Sequence, residues 1–303
     1  MIHRFFFSAT FPPGWLPLLR CGTGILLLLT GIQLWPDFDI LYGPGSIVDH
    51  RLLRVGGDSF LPMGGTSRGY LAAYIVCCAL LVWGRWARLW AILLCFLHHQ
   101  LYAAQPAFSY GFDYIAASAL FYCAWFPVGN PESRWATPCL RVLQLHLCLI
   151  YFFGGLDKII GPTWHNGEAL WKAIHLPDLN GAWRPDTALL AQHPTVLALL
   201  GWMVILLEVA YPAVIWLRRL RAPWLCGIIG VHAGIALFMG LYHFSAVMMV
   251  LNLCAFYLPY RNPTSLSKQI VNQYQQPATS SFRRTDPPKE MRDNAPQPDA
   301  QDA

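Results

Sequence analysis

Charge is what this sequence has least of. Only 12% of its 303 residues are Asp, Glu, Lys or Arg, where a soluble domain carries roughly 25%. Residues 262–303 hold 5 of the 21 Lys and Arg and 5 of the 16 Asp and Glu, so the first 261 positions keep 16 basic and 11 acidic groups. Lysine is scarcer still, with Lys158 and Lys172 alone in that stretch. A chain this poor in ionic groups cannot cover a water-facing surface, which excludes a soluble globule. It also excludes a nucleic-acid surface, which needs clustered cations. The nine cysteines are odd in number, lie in apolar runs and form no C-x-x-C, so neither a disulfide framework nor a metal site is expected. H-x-x-H and H-E-x-x-H are absent, which removes the common zinc patterns.

What is abundant is apolar: 55% hydrophobic residues, with 13 Trp. At ~20 residues per crossing, apolar runs predict eight spans, at 15–35, 69–84, 87–104, 109–127, 137–160, 195–217, 222–242 and 244–260. The expected fold is an all-α polytopic transmembrane bundle over 1–261, followed by a disordered polar tail over 262–303. That tail is rich in Pro, Gln and Asp and has few apolar residues. The lipid bilayer is the expected partner. Arg4, Arg85, Arg88, Arg218, Arg219, Arg221 and Arg261 fall on one side of an eight-span topology, opposed by Arg51, Arg54 and Arg68 in the first long loop. The positive-inside rule then puts both termini in the cytoplasm. In the second long loop, Trp164, Leu170, Trp171 and Ile174 recur near helical spacing and predict a short interfacial helix.

Ionisable groups inside a bilayer are costly and therefore informative. Arg20 and Arg141 near span ends are expected to snorkel. Asp113, in the first turn of span four, suits helix capping. His146 suits a neutral core histidine hydrogen-bonded to a neighbouring helix. Glu208, mid-span in LLEVAYP, must be protonated or paired with a cation. His232 lies mid-span, and His98 and His99 lie deep in span three. Lys158, near the outer end of span five, either snorkels outward or sits neutral in apolar surroundings, where it could act as a base.

Residues 149–170, LIYFFGGLDKIIGPTWHNGEAL, contain an aromatic helix end, small-Gly, Lys, then W-x-x-G, carried by Tyr151, Phe152, Gly154, Gly155, Lys158, Trp164 and Gly167. Arg20, the LYGPGS run, the FDY opening of span four, LLEVAYP, and His232 with the Phe244-Ser245-x-x-Met248 run follow in order. Over about residues 10–260 this pattern resembles the horizontally transferred transmembrane domain family. That family includes the membrane domain of vitamin K-dependent gamma-glutamyl carboxylases and a bacterial protein that matures a sporulation-delaying toxin. The resemblance implies a bacterial inner-membrane protein that uses a reduced, vitamin K-like quinone. Lys158 would be the base, His232 and Glu208 the supporting catalytic groups, and Trp164, Gly167, Phe244 and Asp113 the substrate- or quinol-binding residues. It implies a peptide or small molecule as the species modified. At the carboxylase histidine that opens span four this chain has Phe112, and Ile235, Ala236 and Leu237 replace polar residues near His232. The other reading is a non-catalytic membrane partner for maturation of, or immunity to, a secreted peptide. A channel or transporter ranks lowest, because no inverted repeat is visible.

Overall fold

The computed structural model describes residues 2–7, 11–12, 14–42, 67–104, 109–130, 133–175 and 187–261. The 262–303 tail and most of the first long loop, with Arg51 and Arg54, lie outside the described residues. Among those described, every regular element is helical. A short helix α1 (Ile2–Phe7) precedes α2 (Trp15–Leu34), α3 (Phe38–Tyr42), α4 (Ser67–Trp83), α5 (Ala87–Ala104), α6 (Gly111–Trp125) and α7 (Ala136–Ile160). Two short helices, α8 (Pro162–His165) and α9 (Glu168–Ile174), stand where the interfacial helix is predicted. Then come α10 (Ala188–Ala191), α11 (Pro194–Val209), α12 (Tyr211–Val214), α13 (Arg221–Met239) and α14 (Tyr242–Asn252), the last continued by a π-helical turn at Leu253–Tyr257 and a 3-10 turn at Leu258–Tyr260.

Among the described residues, four segments are long and apolar enough to cross a membrane: Trp15–Leu34, Ala136–Ile160, Arg221–Met239 and Tyr242–Tyr260, with mean hydropathies of 1.6, 1.6, 1.7 and 1.3. Arg68–Trp83 and Pro194–Val209 are apolar but shorter. At ~1.5 Å per residue a helix of that length falls a few ångströms short of a ~30 Å hydrocarbon core. Ala210 separates α11 from α12, whose second residue, Pro212, has no N–H to continue the α11 ladder, so one apolar stretch becomes two helices.

Many large hydrophobic side chains lie on the outer surface. On α2, Leu16, Leu19, Leu27 and Gly31 are buried, while Ile25, Leu29 and Ile32 on the opposite side are exposed. A helix that is hydrophobic all round needs either a protein shell or lipid around it. The largest fully buried side chains are Trp15, Tyr74, Tyr211, Phe38, Phe112 and Phe256. Helices α2, α4, α5 and α6 pack in sequence order, α7 packs on α11 and α12, and α14 lies against α2, α6 and α13. Trp83 and Trp86 at the α4–α5 turn, with Trp125 and Trp135 between α6 and α7, are all exposed. The up-and-down order of α4 to α7 puts these four rings at one end of the bundle, where an interfacial aromatic belt would sit.

Two arginines near that end are held by hydrogen bonds within the protein. Arg20 Nη1 donates to the carbonyls of Leu81, at 2.6 Å, and Val82. These are among the last carbonyls of α4, which have no partner within the helix. Gly84, at φ 89°, turns the chain so closely around the guanidinium that an added Cβ would lie 2.6 Å from Nη1. Arg141 donates to Phe5 O, Gln144 Oε1 and the Tyr260 hydroxyl, and lies over the rings of Phe5, Phe11 and Trp216. At the other end, Arg68 pairs with Asp39 at 2.5 Å.

Candidate functional site

One face of α7 carries Tyr151, Gly154, Gly155 and Lys158, at helical spacing. Gly155 is where α11 comes closest: an added Cβ would stand 2.8 Å from Val209 N and 2.9 Å from Glu208 Cβ. This approach brings Glu208 beneath the end of α7. Lys158 Nζ donates to Glu208 Oε2 at 2.7 Å and to Gly154 O at 3.3 Å. The two side chains are 21% and 12% exposed, so lysine and carboxylate satisfy each other in a largely dry setting. Glu208 therefore takes the paired option. Lys158 is neither a free snorkelling chain nor a solitary one.

The segment after α7 closes over this pair. Gly161 ends the helix, α8 begins at Pro162, and the Trp164 ring centroid lies 5.2 Å from Lys158 Nζ. Trp164 O faces Gly201 on α11, where an added Cβ would be 2.6 Å away. Gly167 adopts φ +83°, a left-handed conformation that favours glycine, and an added Cβ there would lie 2.6 Å from Ala198 N. The W-x-x-G pattern thus folds α8 and α9 onto the first half of α11. On α9, Glu168 pairs with Lys172 at 2.6 Å, and the ammonium holds the Glu168 carboxyl below its usual range.

About two turns before Lys158 on α7, a buried polar chain joins α7 to α12, α13 and α14. Tyr211 OH donates to Asn252 Oδ1 at 2.7 Å, and Asn252 Nδ2 donates to Tyr151 OH at 2.7 Å. Tyr151 OH stands 2.8 Å from His232 Nε2. With its oxygen accepting from Asn252, Tyr151 donates its proton to Nε2. That assignment places the histidine proton on Nδ1, which is buried without a hydrogen-bond partner among the described residues. The rings of Tyr151 and Tyr211 lie 4.4 Å apart, and Phe244 packs on His232 at 5.8 Å.

Six of the seven predicted site residues therefore lie on α7, α8, the Gly167 turn into α9, α11, α13 and α14: Lys158, Trp164, Gly167, Glu208, His232 and Phe244. Asp113 belongs to a different set. It is the third residue of α6, its Oδ2 accepts the Tyr110 N–H at 2.9 Å, and Oδ1 lies 4.0 Å from His98 Nε2. The capping geometry expected of it is present. His146 bonds the Tyr122 hydroxyl of α6, as a core histidine would. Asn252 and Tyr211 are the residues sequence reasoning missed. The available signal was an asparagine inside the apolar run Val247–Tyr257. No group of three or more His, Cys, Asp or Glu among the described residues could hold a metal ion. No protein-family model, curated protein or solved structure matches this chain.

Proposed function

We propose that the chain is an eight-span bacterial inner-membrane protein of the horizontally transferred transmembrane domain type, with both termini cytoplasmic, that acts on a hydrophobic quinol. The observation that carries this reading is the Lys158–Glu208 pair at 2.7 Å, set beside the Tyr151–His232 hydrogen bond. A lysine and a carboxylate in direct contact can pass one proton between them in a site of low polarity. When Glu208 holds that proton, Lys158 Nζ is a neutral amine and can take a proton from a quinol hydroxyl. The quinolate formed is then the species that meets oxygen, as the resemblance to the carboxylases implies, and a peptide or small molecule is the final acceptor of that chemistry. Trp164 above Lys158 and Phe244 beside His232 offer ring faces to a flat quinol head. Purified protein given a reduced naphthoquinone should consume it, with Lys158→Ala lowering the rate by roughly 10²-fold or more, the usual scale of a general base. Equal consumption by wild type and Lys158→Ala would remove the base role.

A second reading has its own observation. Gly155, Gly167 and Gly201 are all positions where backbone meets backbone, so the motif around Lys158 also serves helix packing. In that reading the protein is a non-catalytic partner in maturation of, or immunity to, a secreted peptide. Lys158→Arg separates the two. Arginine keeps the charge and the ion pair but cannot be a neutral base, so full cellular function in that variant favours the partner reading.

A further inference from the structure

Away from Lys158, the end of α2, α3, α4, α5, the start of α6 and the start of α14 enclose a cavity of about 230 Å³. This is below the roughly 300–1,000 Å³ of sites for drug-sized ligands, so it suits a small molecule or a single headgroup. Its wall is aromatic, with Tyr42, Tyr74, Tyr102, Tyr110 and Phe112 all contributing. Among the described residues that line it, Asp113 supplies the only carboxylate, and there is neither lysine nor arginine.

The charge on Asp113 has no cation beside it among the described residues. His98 is the nearest candidate, and its two nitrogens are already engaged. Nδ1 meets the Tyr74 hydroxyl at 3.1 Å and Nε2 meets Asp113 O at 3.2 Å. A neutral imidazole has one acceptor and one donor. Tyr74 fills the acceptor and the backbone carbonyl takes the donor, so His98 completes its bonds without becoming a counter-ion. On Asp113, Oδ2 is held by the Tyr110 N–H, while Oδ1 has the 4.0 Å approach of His98. These partners are an N–H of the cap and a neutral imidazole, so a cation that entered the cavity would meet a carboxylate with no other cation on it among the described residues. Tyrosine and phenylalanine faces attract cations through their ring quadrupoles, and ring cages are the usual means of holding methylated ammonium groups.

We infer that this cavity binds a small methylated ammonium group, with Asp113 as its counter-ion and the tyrosine faces as its walls. The group can arrive as free choline or as the headgroup of a choline lipid. The inference makes no use of Lys158 and stands apart from the quinol reading.

The test uses the full chain in nanodiscs of phosphatidylglycerol, with choline binding followed by calorimetry. Saturable binding is expected. The uncharged isostere 3,3-dimethyl-1-butanol should bind roughly tenfold or more weakly, since it keeps the shape and loses the cation. Asp113→Asn keeps an acceptor for the Tyr110 N–H and should weaken choline by a similar factor. Tyr42→Leu removes one ring without touching the cap and should weaken it severalfold. In discs of phosphatidylcholine, loss of choline binding identifies the lipid headgroup as the occupant, and unchanged binding identifies the free cation. Absence of saturable binding in phosphatidylglycerol discs, or equal binding of choline and its isostere, overturns the inference.

Discussion

Lys158 and Glu208 meet across the α7–α11 contact at 2.7 Å, fifty residues apart in sequence and one helix-to-helix approach apart in space. Neither group is well hydrated, so each is the reason the other is tolerated. Removing either alone leaves an unpaired charge in a dry place. A fully buried pair loses ~3–5 kcal/mol when one partner is removed. Here some exposure remains, and a loss of about 2 kcal/mol is expected for Lys158→Met or Glu208→Leu. The double variant Lys158→Met/Glu208→Leu should recover most of it, because no orphan charge is left. Thermal unfolding midpoints of the three purified variants check this, and additive losses in the double variant would disprove the coupling.

The same contact depends on Gly155. An alanine there would put a Cβ 2.8 Å from Val209 N, against backbone that cannot swing aside. Gly155→Ala should separate α7 from α11, lowering the unfolding midpoint and lengthening the Lys158–Glu208 bond. Gly230 on α13 is the internal control, since an added Cβ there meets nothing within 4 Å. Gly230→Ala should be neutral or stabilising by up to ~1 kcal/mol through its helix propensity. Parallel thermal scans of the two variants read the difference. Equal behaviour would mean the close approach at Gly155 is not what holds these helices together.

The helices themselves were legible, and the reason is the apolar runs. Each predicted segment from 15–35 to 244–260 contains a helix, because uninterrupted Leu, Ile, Val and Phe leave the backbone no partner but itself. Boundaries set by Gly and Pro were also readable, as at Gly161–Pro162. Partnerships were not. Nothing local in LLEVAYP says that Glu208 will face Lys158, and Arg20 reads as a snorkelling side chain until α4 is folded beside it. The polar chain through Asn252 needs four elements assembled at once. Asp113 shows the reverse case, since its capping role is local and readable, whereas the cavity in front of it is built by residues from Thr30 to His243.

Arg20 gives a prediction about local stability. Its guanidinium satisfies the carbonyls of Leu81 and Val82 at the end of α4. Arg20→Leu keeps the apolar stem and removes both donors, leaving those carbonyls unpaired. Amide exchange in the last turn of α4 and through Gly84 and Arg85 should accelerate by roughly tenfold, equivalent to ~1.4 kcal/mol and in the range of a net charged hydrogen bond. Exchange in α13, which does not touch this corner, should stay unchanged. Hydrogen–deuterium exchange of the detergent-solubilised protein resolves both regions. A uniform rise across all helices would point to global destabilisation and not to a lost cap.

The Tyr211–Asn252–Tyr151–His232 chain makes the last prediction, because its hydrogen bonds run in one direction. Asn252 is the link that both accepts and donates, taking the Tyr211 proton on Oδ1 and giving Nδ2–H to Tyr151. Asn252→Leu is close in size but breaks both links. It leaves the Tyr211 hydroxyl without an acceptor and the Tyr151 oxygen without a donor, both among buried side chains. Orphaned buried groups cost ~1–3 kcal/mol each, so this variant should be among the most damaging single changes. Tyr211→Phe removes only the first donor and leaves Asn252 bonded to Tyr151, so a loss of about 1 kcal/mol is expected. Asn252→Asp tests the direction. A carboxylate there can still accept from Tyr211 but cannot donate to Tyr151 while ionised. The Tyr151 hydroxyl must then turn its proton from His232 toward the introduced carboxylate, and His232 Nε2 loses its partner. Histidine nitrogen chemical shifts measured by NMR on labelled protein report that change at His232. An unaltered Nε2 signal in Asn252→Asp would show that Tyr151 does not donate to His232 in the first place.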